Sequence, residues 1–181
     1  TGCLQEAGYE ITNDPVDANI LLVNTCGFIQ PAVEEGVDAI IALADIKKED
    51  PTQKLVVTGC LVQRYGAELK SELPEVDLFI GVDGFADIVH ELGKLDKAEG
   101  TTIQIPVTNY LMDSSVPRTI STPSHRAYIK VTEGCSNRCS YCMIPKLRGP
   151  LRSRTLNDLI AEASLLDKAG IKELTLVAQD L

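Results

Sequence analysis

The chain has 181 residues and a formal net charge of −9, and 44% of its residues are apolar, which is enough to build a hydrophobic core. No apolar run approaches the ~18 residues that a membrane span needs, and no basic n-region with an apolar stretch opens the chain. We therefore expect neither a membrane span nor a signal peptide. Six cysteines without a secretory signal favour a reducing, cytoplasmic compartment and metal-binding or catalytic roles over disulfides.

Short apolar strands alternate with helices in the first half of the chain. After a helix that ends near Gly8, the pattern predicts strands at 18–23, 54–58 and 76–80, each followed by a helix, the last of them at 85–95. Strands that alternate with helices are typical of a parallel sheet with helical crossovers. We therefore predict an α/β fold whose N-terminal domain is a doubly wound parallel sheet.

Two cysteines occupy equivalent places in this pattern. Cys26 and Cys60 each come just after a predicted strand and just before a predicted helix. The carboxyl ends of parallel strands meet at one edge of the sheet, where ligands bind in such folds. We expect the two thiols to share a site, and the alternative that both are buried structural thiols stays open.

The domain boundary is predicted where the periodic pattern fades, within 97–126, a stretch rich in proline, serine and threonine with a single candidate strand at 102–107. We assign an N-terminal domain to 1–100, a linker to 101–126 and a second domain to 127–181. The second domain reads as strand, cysteine loop, helix and strand. Two strands cannot close a barrel, so we expect this domain to be truncated.

Charge is distributed unevenly along the chain. Residues 118–154 contain eight Lys or Arg and one Glu, although the whole chain is acidic. Such a basic stretch suits an anionic partner. It equally suits arginines that border a cofactor with a carboxylate group.

Three cysteines lie within eight residues, at Cys135, Cys139 and Cys142. A tight turn can direct three thiolates to one point and leaves a fourth position open, as catalytic metal sites do. Thiolates also hold iron–sulfur clusters. A zinc knuckle closed by a remote ligand such as His125 is the structural alternative.

The spacing Cys-x3-Cys-x2-Cys after a strand, with Tyr141 before the last cysteine, resembles the radical S-adenosylmethionine (SAM) signature. The resemblance implies a [4Fe–4S] cluster on Cys135, Cys139 and Cys142 whose open iron chelates SAM. An electron from the cluster would then cleave SAM to a 5′-deoxyadenosyl radical. Tyr141 would lie against the adenine, although it could equally be an ordinary loop aromatic. Gln179, at the end of the second strand, would face the cofactor or be an ordinary strand-end polar residue.

Three further segments narrow the resemblance. They are Asn-Thr-Cys-Gly-Phe-Ile at 24–29, Val-Thr-Gly-Cys-Leu-Val-Gln-Arg-Tyr at 57–65 and Val-Ala-Gln-Asp at 177–180. Together with the radical SAM signature they resemble the methylthiotransferases of the RimO type. The resemblance covers nearly the whole chain and implies an α/β domain followed by the start of a radical SAM (βα) partial barrel.

The family implies a radical SAM methylthiotransferase that adds a methylthio group to the β-carbon of an aspartate in the small-subunit ribosomal protein uS12. It implies two [4Fe–4S] clusters in the full-length protein, with SAM as cofactor. Cys26 and Cys60 would hold the auxiliary cluster, whose third ligand we expect to be missing from this chain. An electron donor and a sulfur source are also required, and the sequence identifies neither.

Cys3 is a tempting third ligand, but it lies inside the helix predicted before Gly8, away from the strand ends. We therefore expect Cys3 to have no cluster role. In the family a strand with its cysteine comes before this helix, so we expect the first strand to be missing and the fragment to be inactive by itself.

Two other functions stay open at this point. One is a tRNA adenosine methylthiotransferase of the MiaB type, whose phosphates the basic stretch 118–154 would contact. The other is a non-catalytic zinc- or iron–sulfur-binding scaffold.

Overall fold

The computed structural model describes residues 1–95 and 100–180. Residues 96–99, at the end of the predicted N-terminal domain, and residue 181, at the end of the predicted second domain, lie outside this part of the chain. Within the described residues, no helix is both long enough and apolar enough to cross a bilayer.

The chain forms two compact units, which we call the sheet unit (residues 11–108) and the cysteine-loop unit (residues 1–10 and 109–180). Two features differ from the predicted domain ranges. The N-terminal helix belongs to the cysteine-loop unit rather than to the sheet unit. The sheet unit also extends into the predicted linker, because residues 102–104 form a strand of its sheet.

Helices and strands alternate over residues 2–80, as the apolar pattern predicts. In chain order the elements are α1 (Gly2–Glu6), β1 (Ile20–Thr25), α2 (Gln30–Glu49), β2 (Lys54–Gly59), α3 (Cys60–Glu72), β3 (Leu78–Ile80), a 3₁₀-helix (Val82–Asp87), α4 (Ile88–Leu92), β4 (Thr102–Gln104), β5 (Arg126–Lys130), β6 (Thr132–Glu133), α5 (Ile144–Arg148), β7 (Arg152–Ser153), α6 (Leu156–Lys168) and β8 (Glu173–Val177).

Strands β1 to β4 form a four-stranded parallel sheet in which the spatial order follows the chain order. The residues 55–58 of β2 are buried, as expected of a strand with a neighbour on each edge and with α2 and α3 packed against it. The predicted parallel α/β class is therefore confirmed. A doubly wound sheet reverses its strand order at one point, and that reversal does not occur among β1 to β4.

The helix predicted at 85–95 is replaced by the 3₁₀-helix and the short helix α4. Tertiary hydrogen bonds fix the chain just before it. The amide of Gly81 donates to the carbonyl of Gln104 at 2.7 Å, and the amide of Val82 donates to the side chain of Gln63 at 3.0 Å. Apolar spacing carries no information about these contacts, so the tighter first turn was not predicted.

In the cysteine-loop unit, β5 and β8 pair in parallel, and α6 is part of the connection between them. Helix α6 begins at the predicted N-cap, where the amide of Asp158 donates to the hydroxyl of Thr155 at 3.3 Å. One face of the strand pair packs on α6. The buried core of this unit comprises Ala127, Ile129, Leu166 and Ile171.

A buried network of charged groups ties the segment after residue 113 to α6. Arg154, whose side chain is 1% exposed, donates to Asp158 at 2.6 Å and to Glu162 at 2.5 Å. Arg118 forms a second ion pair with Glu162. Hydrogen bonds from Arg154 and Ser114 lower the pKa of Asp158 to about 2, so its carboxylate stays charged at neutral pH.

We expect limited proteolysis to cut first between residues 105 and 113. These residues belong to no helix or strand, and Val107 is 81% exposed. The chain that follows is held by the hydrogen bond from Ser114 to Asp158 and by the ion pair of Arg118. A brief subtilisin digest read by mass spectrometry should give first fragments that end in this range. First cuts inside α2 or α6 would contradict the boundary.

Candidate functional site

Cys26 and Cys60 follow two paired strands of the sheet unit. Thr25, the last residue of β1, is in register with Gly59, the last residue of β2. Cys26 opens the loop to α2, and Cys60 is the first residue of α3. Parallel pairing therefore brings both cysteines to neighbouring places at the carboxyl edge of the sheet, with Cys26 exposed and Cys60 buried.

Two glycines allow the loop that begins at Cys26 to come this close to the first residue of α3. A Cβ atom on Gly27 would lie 2.5 Å from the carbonyl oxygen of Cys60. Gly59 has a φ of +108°, and a Cβ atom on it would lie 2.3 Å from the carbonyl oxygen of Thr25. Any larger side chain at either position would force the backbones apart.

The second group of cysteines lies on the cysteine loop, residues 134–143, which follows β5 and β6. Its first residue, Gly134, has a φ of +75°, and a Cβ atom there would lie 2.3 Å from the carbonyl oxygen of Pro150. The amide of Cys135 donates to the carbonyl of Gly149 at 3.2 Å, and β6 pairs antiparallel with β7. The returning chain therefore holds the start of the loop by main-chain contacts.

Glu133 anchors the same point through buried ion pairs. Its carboxylate, 8% exposed, accepts from Arg148 at 2.9 Å and pairs with Lys130. It also accepts from the amide of Gly134 at 3.2 Å. Glu133 was not singled out from the sequence, although it is the one acidic residue in the basic stretch 118–154, and that contrast was the available signal.

The end of β8 contacts the cysteine loop from the neighbouring strand. The side-chain oxygen of Gln179 accepts from the amide of Gly134 at 3.1 Å. The carboxylate of Asp180 accepts from Asn137 at 2.9 Å and from the thiol of Cys135 at 3.6 Å. Gln179 thus lies beside the cysteine loop with its oxygen already bonded to the backbone, and Asp180 is a contact residue that sequence reasoning missed.

The cysteine loop becomes exposed beyond its first residues. Cys135 is buried, Cys142 is half-buried and Cys139 is exposed. The amide of Cys142 donates to the carbonyl of Cys139 at 3.1 Å, which marks a turn between these two residues. Tyr141, in this turn, is 84% exposed, so its ring is free to stack on a planar ligand.

The donor chemistry of the loop fits an iron–sulfur cluster, since three thiols lie on one loop and none forms a disulfide. The thiols themselves are not gathered into a binding site. No three His, Cys, Asp or Glu side chains of residues 1–95 and 100–180 lie close enough together to hold a metal ion. Ligation would require the exposed part of the loop to close around the buried Cys135. The ligand sets Cys135, Cys139, Cys142 and Cys26, Cys60 therefore stay predictions.

Two residues considered as extra ligands lie elsewhere in the cysteine-loop unit. His125 precedes β5, where its carbonyl accepts from the amides of Lys172 and Glu173 at 2.7 and 2.9 Å. The cysteine loop follows the other end of β5, a five-residue strand that spans roughly 16 Å. Cys3 lies in α1, as predicted, and its thiol contacts the carbonyl of Pro117 at 3.9 Å. That Cys3 has no cluster role stays a prediction.

Most of the basic stretch 118–154 is neutralised within the cysteine-loop unit. Five of its cations form ion pairs with Glu133, Asp158, Glu162 or Glu173, and the guanidinium of Arg152 donates to three main-chain carbonyls. Of the eight, Arg138 and Lys146 are exposed and have no ion pair among the described residues. The five paired cations are Arg118, Arg126, Lys130, Arg148 and Arg154.

Comparison with known proteins matches both units. Residues 1–81 match the model of the uncharacterized protein family UPF0004, and residues 129–180 match that of the radical SAM superfamily. A solved structure of the radical S-adenosylmethionine methyltransferase TsrM from Kitasatospora setae is similar, with a TM-score of 0.59 at 16% identity. It covers 98% of this chain and 39% of that chain, and it supports the fold alone.

Curated relatives are much more similar in sequence. The "Ribosomal protein uS12 methylthiotransferase RimO" of Desulfotalea psychrophila is 56% identical over 99% of this chain, that of Syntrophus aciditrophicus 52% over 98%, and that of Clostridioides difficile 45% over 99%. The chain spans about 40% of the length of each of these relatives. Residues 1–81 thus carry the UPF0004 sequence pattern and residues 129–180 that of the radical SAM superfamily, and nearly the whole chain is similar to part of the RimO-type methylthiotransferases.

Proposed function

We propose that this chain is the part of a RimO-type methylthiotransferase that binds SAM and the iron–sulfur clusters, and that the whole protein methylthiolates an aspartate of ribosomal protein uS12. The observation that carries the proposal is the cysteine loop at the carboxyl edge of β5, held by Gly149 and by the end of β8. Relatives that are 56% and 51% identical to this chain carry the name ribosomal protein uS12 methylthiotransferase, which supports the proposal.

Cys135, Cys139 and Cys142 would hold the radical cluster, and Cys26 and Cys60 would contribute to the auxiliary one. When bound, the radical cluster supplies the electron that cleaves SAM to a carbon radical able to take hydrogen from an unactivated carbon. Tyr141, exposed on the loop, would stack on the adenine of SAM. Gln179 would orient the loop through the amide of Gly134 and line the SAM side of the sheet.

The anchored start and the exposed remainder of the loop have different tasks in this proposal. Glu133, Gly134 and Cys135 are fixed by ion pairs and main-chain bonds, so they would keep one thiol in place before the metal binds. The exposed turn around Cys139 can move to complete the ligand set. A site preorganised at one end loses less entropy on binding than a wholly flexible loop.

The other two functions receive less support. A tRNA-binding surface needs unpaired cations, and most of those in 118–154 are paired within the unit or bonded to carbonyls. A zinc knuckle closed by His125 would have to join opposite ends of β5.

We further propose a cytoplasmic location, which suits thiol ligands. The sulfur source and the electron donor are required by the reaction and stay unidentified.

Changing Cys139 to Ala should reduce SAM cleavage to the background level, because two thiolates cannot hold a cluster with an open iron. The measurement is 5′-deoxyadenosine formed anaerobically with dithionite, in the full-length protein. Cys3→Ala is the matched control and should cleave SAM at the parental rate. Full cleavage by Cys139→Ala would show that the radical cluster is held elsewhere.

Changing Glu133 to Gln should loosen the start of the cysteine loop, because Lys130 and Arg148 lose the carboxylate that compensates them. Losing such buried, charged hydrogen bonds costs about 2 kcal/mol. Alkylation of the buried Cys135, followed by mass spectrometry, should therefore become more than tenfold faster, while that of the exposed Cys139 changes little.

Glu173→Gln is the control for this experiment, since the pair of Glu173 with Arg126 is exposed and worth little. It should leave the alkylation of Cys135 unchanged. If Cys135 in Glu133→Gln reacted at the parental rate, Glu133 would not anchor the loop.

A further inference from the structure

Arg64 makes a contact that ties the Cys26 loop to α3. Its guanidinium donates to the carbonyl oxygen of Gly27 at 2.8 Å. The same group lies over the ring of Tyr65, 4.9 Å from the centroid, which limits the rotamers open to this long side chain. The contact therefore joins the residue after Cys26 to the helix that Cys60 begins.

The position of Arg64 on α3 explains why it reaches this carbonyl. Arg64 follows Cys60 by four residues, so the two side chains lie on the same face of the helix. Helical side chains also lean towards the N-terminus, which here is the end that faces the Cys26 loop. The loop has little other support from burial, since Phe28 and Ile29 are exposed.

The backbone approach at Gly27 gives a second, independent link between the two cysteines. The Cβ of any other residue at position 27 would overlap the carbonyl of Cys60, so the chain after Cys26 runs directly against the first turn of α3. Glycine allows the two segments to approach but does not hold them together, because it adds no side-chain contact of its own. A hydrogen bond to the Gly27 carbonyl can hold the Cys26 loop against α3.

We propose that Arg64 is a positioning residue that holds the Cys26 loop against the start of α3, so that the thiols of Cys26 and Cys60 stay together as a pair able to bind one soft metal centre. The assignment of this pair to the auxiliary cluster rests on the proposed function. The pairing itself rests on the contacts of Arg64 and Gly27 and can be tested with a simple ion.

The test uses the 181-residue chain with its other four cysteines changed to Ser, so that Cys26 and Cys60 are the only thiols. The probe is Cd²⁺, a soft ion for thiolate ligands, followed by its thiolate absorption in competition with a chelator. Arg64→Met should weaken Cd²⁺ binding about tenfold, the size expected for one charged hydrogen bond. Arg64→Lys, which keeps a donor, should recover most of the affinity.

Two controls separate positioning from other causes. Lys47→Met breaks the pair of Lys47 with Asp77 in the same unit but changes neither the Cys26 loop nor the start of α3, so it should leave Cd²⁺ binding unchanged. A purely electrostatic effect of Arg64 on the thiolates would fade in high salt, whereas the loss caused by Arg64→Met should persist there.

The proposal is overturned if Arg64→Met binds Cd²⁺ like the parent, if its loss of affinity disappears in high salt, or if Lys47→Met weakens binding equally. It is also overturned if the parent chain does not bind Cd²⁺ through both thiols, which Cys60→Ser would reveal by leaving the signal unchanged. None of these outcomes bears on SAM cleavage at the cysteine loop. A failure of the Arg64 proposal is therefore distinguishable from a failure of the proposed function.

Discussion

Parallel strand pairing is the constraint on which both cysteine groups depend. Because β1 and β2 end in register at Thr25 and Gly59, the residues that follow must share one edge of the sheet. The pairing of β5 with β8 does the same for the cysteine loop and for Gln179 and Asp180. In both units the candidate ligand residues lie beyond strand ends, where loops can vary while the strands keep their positions fixed.

Most cations of residues 118–154 form ion pairs within the cysteine-loop unit. Glu133 compensates two cations at the base of the loop, and Glu162 compensates Arg118 and Arg154 beneath α6. Buried ion pairs are costly to desolvate and add little net stability, but removing one partner leaves an uncompensated charge. These ion pairs hold the start of the cysteine loop in place, and they leave Arg138 and Lys146 as the exposed cations of 118–154 without an ion pair among the described residues.

The sequence was sufficient to predict the elements that depend on local patterns of apolar and capping residues. Strands β1, β2, β5 and β8, the N-cap Thr155 and the strand-end places of Cys26 and Cys60 follow from apolar periodicity and capping chemistry. It was insufficient where distant residues decide. The two-residue ladder of β6 with β7, the ion pair of Glu133 with Arg148 and the bond from Arg64 to Gly27 join residues 15 to 37 positions apart, and no local pattern encodes them. The spacing of the three loop cysteines also suggested gathered thiols, whereas the fold anchors one of them and leaves another exposed.

Anaerobic reconstitution of the 181-residue chain, with iron, sulfide and zinc counted per chain, tests the central claim most directly. A radical SAM site on the cysteine loop predicts brown protein with about four iron and about four sulfide ions, as one [4Fe–4S] cluster requires. The same protein with Cys135, Cys139 and Cys142 changed to Ser should lose that iron. A colourless chain with stoichiometric zinc, or iron that stays when those three cysteines are replaced, would contradict the account.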